Sequence, residues 1–198
     1  MSAWLDDFLN TVRGSLFVRI DNDYLMSSSN YYDLKSHFCN FSSAVDLIRV
    51  GSSDKVDPSV EKEAMVIYGM LHARYLMTES GIQAMYAKYK KKEFQQCPRA
   101  FCKGFRCLPY GLSEKVEQHS VRMFCPNCFD VYNAANTKFR CIDGAFFGSN
   151  YIHMFLEKYK NLVSNEPKRV YVPKIFGFKI YHPGDEYSSS DEKDSSDE

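Results

Sequence analysis

Apolar residues recur at helical spacing through the first half of the chain. Trp4, Leu5, Phe8, Leu9 and Val12 fall on one face of a first helix, with Asp6 and Asp7 near its positive end. Gly14, just after Arg13, is its expected stop. Between Asp33 and Arg49, the positions of Leu34, Phe38, Phe41, Ala44, Val45 and Ile48 predict another helix, less regular than the first. The polar stretch Gly51 to Glu63 predicts a loop leading into a helix start, with Asp57 as the cap and Pro58 in the first helical position. Val60, Ala64, Ile67, Leu71 and Tyr75 carry the apolar stripe onward. Thr78 then restarts a helix with Ile82, Met85, Tyr86 and Tyr89 on one face, so Asp57–Tyr75 and Thr78–Glu93 predict a helical hairpin.

From Phe94 the pattern changes to short pieces, prolines, glycines and paired cysteines. Met123–Tyr132 and Phe139–Phe147 predict short strands or turns, and Tyr151–Leu162 one more helix. Tyr171–Tyr181 is rich in Val, Ile and Phe and reads as extended, so that alternation along a strand would send Phe176 and Phe178 to one side of it. From Gly184 onward the chain is acidic and serine-rich, a composition that buries too little to order itself. The expected fold class is α+β: a helical domain over residues 1–93, a metal-binding module over 94–150, a helix with an extended segment over 151–183, and an acidic tail over 184–198.

Charge and length narrow the function classes. The formal net charge is zero, but the last fifteen residues hold seven acids and one lysine, leaving 24 basic and 18 acidic residues in the body. That excess is too small to argue nucleic-acid binding. Lys88, Lys90, Lys91 and Lys92 crowd the predicted negative end of a helix, where a solvated, dipole-stabilising role is expected before a phosphate-binding one. The chain has no apolar run of the length a transmembrane helix needs, and its opening residues are acidic where a secretory leader is basic. The expectation is a protein made and kept inside the cell, without a membrane partner.

Seven cysteines in such a chain point to metal before disulfides. CPRAFC puts four residues between Cys97 and Cys102, CPNC puts two between Cys125 and Cys128, and 22 residues separate the pairs. Each pair can turn two sulfurs to one point, and four thiolates around a point suit zinc, one per chain, in a closed structural site. Cys102 and Cys107 share the same spacing, so Cys107 is a rival ligand; the matched knuckle form of CPRAFC and CPNC favours the first assignment. Cys39, Cys107 and Cys141 are then ordinary small residues.

No nucleotide-binding glycine motif, phosphate loop or kinase catalytic loop occurs, and the five histidines are scattered. His72, beside apolar residues inside a helix, reads as a packing histidine rather than a general base. The residues therefore favour a binding or scaffold protein, with a zinc-ribbon nucleic-acid binder as the alternative.

The motifs also carry a resemblance. Gly69 to Cys102, LPYGLS at Leu108–Ser113, FCPNCFDVY at Phe124–Tyr132, DGAFFG at Asp143–Gly148 and VPKIFGFKI at Val172–Ile180 closely resemble the regulatory (beta) subunit of casein kinase II. Trp4, Phe8, Arg13-Gly14 and Asp23-Tyr24 fall in the family's order, and the resemblance spans residues 3–183. It implies a non-catalytic chain whose zinc ligands are Cys97, Cys102, Cys125 and Cys128. It implies a homodimer with Phe124, Val131 and Tyr132 near the contact, docking two catalytic alpha subunits and modulating the choice of protein substrates. It further implies that Ile175, Phe176, Phe178 and Lys179 present the kinase-docking edge. Two departures stand out. The family's strongly acidic loop is here, over Arg49–Glu63, four acids against three basic residues, which puts its polyamine response in doubt. The N-terminal serine cluster is reduced to Ser2, whereas Ser188, Ser189 and Ser195 each precede an acid by three residues and are the candidate phosphorylation sites.

Overall fold

The computed structural model describes residues 2–52, 55–163 and 172–180. The chain divides into two compact units, Met1–Asn165 and Glu166–Glu198.

In the first unit, helix α1 (Ala3–Asn10) begins at Ser2, whose hydroxyl accepts from the Leu5 amide and donates to the Leu47 carbonyl. It buries Leu5 and stops four residues before Gly14, because the Thr11 side chain and amide both turn back onto the Phe8 carbonyl. Gly14 serves a different end: a Cβ there would lie 2.0 Å from the Phe8 carbonyl oxygen, so only glycine admits this close return of the chain. Helix α2 (Asn22–Met26) follows.

The helix expected over Asp33–Arg49 is divided. Asp33 takes a left-handed conformation (φ 65°), a 3-10 turn spans Leu34–His37, and α3 (Phe41–Arg49) begins only after Asn40. The Glu63 carboxylate explains the break, since it accepts both the Asn40 amide, at 2.8 Å, and its side-chain nitrogen. The helical hairpin is present as α4 (Pro58–Leu76) and α5 (Glu79–Lys90). Asp57 caps α4 through the Ser59 amide, and Thr78 both closes α4 at the Tyr75 carbonyl and caps α5 at the Gly81 amide. Helix α6 (Tyr151–Lys158) lies on α5, with Tyr86 stacked on Tyr159.

The central helix, α4, is buried over much of its length, and it satisfies a stretch of backbone that has no sheet partner. Phe17, Val18 and Ile20 are buried, and buried amides and carbonyls must find partners. Two side chains one turn apart on α4 supply them. The Tyr68 hydroxyl donates to the Val18 carbonyl and accepts the Ile20 amide. The fully buried His72 accepts the Val18 amide at Nε2 (3.1 Å), and its Nδ1–H donates to the Phe146 carbonyl at 2.7 Å. The Lys88 ammonium donates to the carbonyls of Ser15 and Phe17, so this lysine belongs to the fold, not to a solvated basic face.

Burial pushes His72 down to about 4 from its ordinary 6.5. Because the folded value is depressed, the neutral ring contributes its full stability above about pH 6.5. That contribution falls as pH drops towards 4, by on the order of 3 kcal/mol in all. Urea unfolding at pH 7 and at pH 4.5 should therefore show a loss in the native chain that His72→Gln, which cannot titrate, largely lacks. Identical pH slopes in both proteins would remove the histidine from the account.

A three-stranded antiparallel sheet, β1 (Leu108–Tyr110), β2 (Arg122–Phe124) and β3 (Val131–Asn133), carries the cysteine segment. Leu108 pairs with Phe124, and Phe124 with Val131. Its buried residues join one hydrophobic core with those of the helices, with Phe147 against both Phe17 and His72.

In the second unit, β4 (Lys174–Ile175) and β5 (Phe178–Lys179) form a tight hairpin with Ile175 opposite Phe178. The segment is thus extended but folded back on itself, and the expectation that Phe176 and Phe178 share one strand face fails. Phe176 (φ 51°) and Gly177 (φ 88°) are the two turn residues. Positive φ at both is the pattern of the type I′ turn that matches strand twist. Gly177 supplies that conformation; nothing lies within 4 Å of where its Cβ would be.

Candidate metal centre

Two loops deliver the four sulfurs. The first is pinched closed at its base: the Cys97 amide donates to the Phe105 carbonyl and the Cys107 amide to the Gln95 carbonyl. Within it a 3-10 turn (Ala100–Cys102) brings Cys102 round, and Lys103 and Gly104 follow with positive φ. The second is the β2–β3 connection. There the Cys125 amide donates to the Asp130 carbonyl and the Phe129 amide to the Cys125 carbonyl, with Phe129 at φ 60° reversing the chain.

Cys97, Cys102, Cys125 and Cys128 are all buried, and their sulfurs lie within 4.8 Å of one another. A zinc tetrathiolate with Zn–S bonds of roughly 2.3 Å has sulfur–sulfur edges of roughly 3.8 Å. The Cys97–Cys128 separation is 3.8 Å. The donor set therefore fits a tetrahedral, thiophilic dication. Burial pushes the Cys97 and Cys102 thiols up; a hydrogen bond with Cys107, together with burial, does the same at Cys125. At Cys128 burial also acts upward, but hydrogen bonds from the Tyr132 hydroxyl and the Asp130 amide outweigh it and hold the thiol below its ordinary value. Ionising all four in this pocket thus calls for a cation, which is the role a metal would fill.

Cys107, the rival ligand, is fully buried immediately before β1 and outside the four-sulfur cluster. Cys39 and Cys141 are exposed. Of the residues expected near a dimer contact, Phe124 is buried, Val131 is exposed, and Tyr132 is half-buried with its hydroxyl 3.2 Å from the Cys128 sulfur. Asn127, whose side-chain amide lies 3.3 Å from the Cys102 sulfur, was not among the residues the sequence singled out. Its place inside the CPNC knuckle was the only available signal.

At the hairpin, Phe176 is 96% exposed and Phe178 80%, with Ile175 and Lys179 also exposed. Ser188, Ser189 and Ser195 lie outside the described residues. Among the described residues no helix is long and apolar enough to cross a membrane.

A helical body bearing a buried cluster of four cysteines defines a class of protein with a candidate metal centre. Comparison with known proteins carries this further. The model of the casein kinase II regulatory subunit family matches residues 3–179. The chain is 37% identical over 186 residues to casein kinase II subunit beta of Dictyostelium discoideum, covering 90% of this chain and 69% of that protein. It is 38% identical over 190 residues to casein kinase II subunit beta-3 of Arabidopsis thaliana, covering 92% and 68%. Against casein kinase II subunit beta' of Drosophila melanogaster the identity is 36% over 187 residues, covering 92% and 85%. The chain spans about two thirds of the length of several such relatives. It belongs to the casein kinase II regulatory subunit family, whose members are regulatory and not catalytic.

Proposed function

We propose that this chain is a zinc-stabilised scaffold for a Ser/Thr protein kinase of casein kinase II type. Two copies join through their zinc modules. The dimer docks two catalytic subunits, stabilises them and biases their choice of protein substrates. The reading places the complex in cytoplasm and nucleus.

The observation that carries it, beside the family membership, is the aromatic hairpin tip. Placing a bulky side chain at φ 51° costs about 1–2 kcal/mol. Type I′ turns favour Asn, Asp or Gly at that position. Phenylalanine there gains nothing for the turn and leaves its ring almost wholly exposed. Strain of this kind is kept where the side chain has work to do elsewhere, and an aromatic anchor entering a partner's pocket is such work. The basic face that would support nucleic-acid binding is weakened by the engagement of Lys88 with backbone carbonyls.

The test is assembly from purified parts. The chain mixed with a purified casein kinase II catalytic subunit should elute as a complex whose mass by light scattering fits two plus two chains, with one zinc per 22.9 kDa copy. A chain that stays separate from the kinase at micromolar concentration would overturn the proposal.

A further inference from the structure

The second knuckle places two polar side chains on the sulfur cluster from outside it. The Tyr132 hydroxyl is 3.2 Å from the Cys128 sulfur, and the Asn127 side-chain nitrogen is 3.3 Å from the Cys102 sulfur. Either partner could donate in the first contact when the sulfur carries its proton. A metal-bound thiolate has none to give, so the phenol, protonated at neutral pH, must be the donor there. The amide likewise must offer its N–H₂ and not its oxygen. Asp130, paired with the Arg99 guanidinium at 3.0 Å, is a second acceptor for the Tyr132 proton at 3.5 Å. The contact to sulfur, at 3.2 Å, is the shorter of the phenol's two.

A zinc ion with four thiolates carries a formal charge of about −2, and a buried anion needs donors around it. Hydrogen bonds to the sulfurs spread that charge and fix the ligand rotamers, which is how groups outside the ligand set tune a metal site. We propose that Tyr132 and Asn127 are positioning residues of the metal centre, donating O–H and N–H hydrogen bonds to the Cys128 and Cys102 sulfurs so that the metal is held and its release slowed. For Tyr132 this is an inward-facing role, distinct from a contact between subunits. The inference rests on the centre holding a divalent metal, and it adds that retention depends on two residues that are not ligands.

The experiment uses the full chain loaded with zinc, and in parallel with cobalt(II), as native protein, Tyr132→Phe and Asn127→Ala. Tyr132→Phe keeps the ring and removes only the donor. Transfer of zinc to a chromogenic chelator should be about 10- to 100-fold faster in each variant, the range typical of losing an outer hydrogen bond to a metal ligand. A sulfur that loses its donor is easier to oxidise, so the sulfur-to-cobalt charge-transfer band should move to longer wavelength. Faster release with that shift supports the proposal. Unchanged release and spectrum in both variants, or faster release with no spectral shift, overturns it while leaving the metal centre intact. A native chain that takes up no zinc or cobalt overturns the metal centre and the proposal together.

Discussion

Replacing Cys125 by serine is expected to abolish metal binding and to unfold the segment from about Phe94 to Gly148. Serine keeps the size of the side chain but offers a hydroxyl that does not ionise at neutral pH, so the tetrahedron loses a corner. A structural zinc supplies roughly 10–16 kcal/mol of apparent binding free energy, against a total stability of about 5–15 kcal/mol for a typical domain. The three strands here are three residues each and cannot stand alone. Because Phe147 packs on Phe17 and His72 in a common core, the damage should also reach the Phe17–Ile20 stretch. Zinc content by mass spectrometry, read together with amide exchange over residues 94–148, checks this. Cys107→Ser is the control: Cys107 is not one of the four clustered sulfurs but hydrogen-bonds to Cys125, and serine keeps a donor there, so this variant should keep its zinc. A Cys125→Ser chain with full zinc content and native exchange protection would show that the cluster is ordinary core.

What the sequence disclosed, and what it hid, divides along the range of the interactions involved. Asp57-Pro58 and Thr78 mark helix starts because a cap acts within three residues, and both caps are present. The cysteine knuckles were legible for the same reason, since two sulfurs separated by two or four residues meet by local chain reversal. The break at Asn40 was not legible, because the carboxylate that causes it sits 23 residues away on α4. Nor was the Phe17–Ile20 stretch, whose backbone partners Tyr68 and His72 lie some fifty residues on. The α4 helix carries those polar atoms into the core: the packing role of His72 was legible from its apolar neighbours, but not the two backbone partners that satisfy it. The hairpin at KIFGFKI was concealed differently. Its turn uses Phe-Gly where Asn-Gly would have announced a reversal, and an apolar run broken by one glycine reads as a single strand.

Removing both rings at that hairpin is the other large expected effect. In a chain with Phe176→Ala and Phe178→Ala, affinity for the catalytic subunit should fall by about 10²- to 10⁴-fold, from about 1.5–3 kcal/mol for each ring buried on docking. Stability should hardly change, since the two side chains are 96% and 80% exposed and their loss opens no cavity. The two rings need not contribute equally. Phe178 lies in a strand, paired with Ile175, whereas Phe176 stands at the tip. A partner surface that takes the tip into a pocket makes Phe176→Ala the costlier single change. One that lies along the strand makes it Phe178→Ala. Titration calorimetry with the two single variants and the double variant separates these cases, and a coupling energy between them would show that both rings fill one site. Gly177→Val probes the turn itself: a β-branched residue at φ 88° is strained, so it should weaken docking while both rings remain. If the double variant binds the kinase as tightly as the native chain, the aromatic hairpin is not the docking edge. If instead it unfolds, the rings belong to the chain's own core.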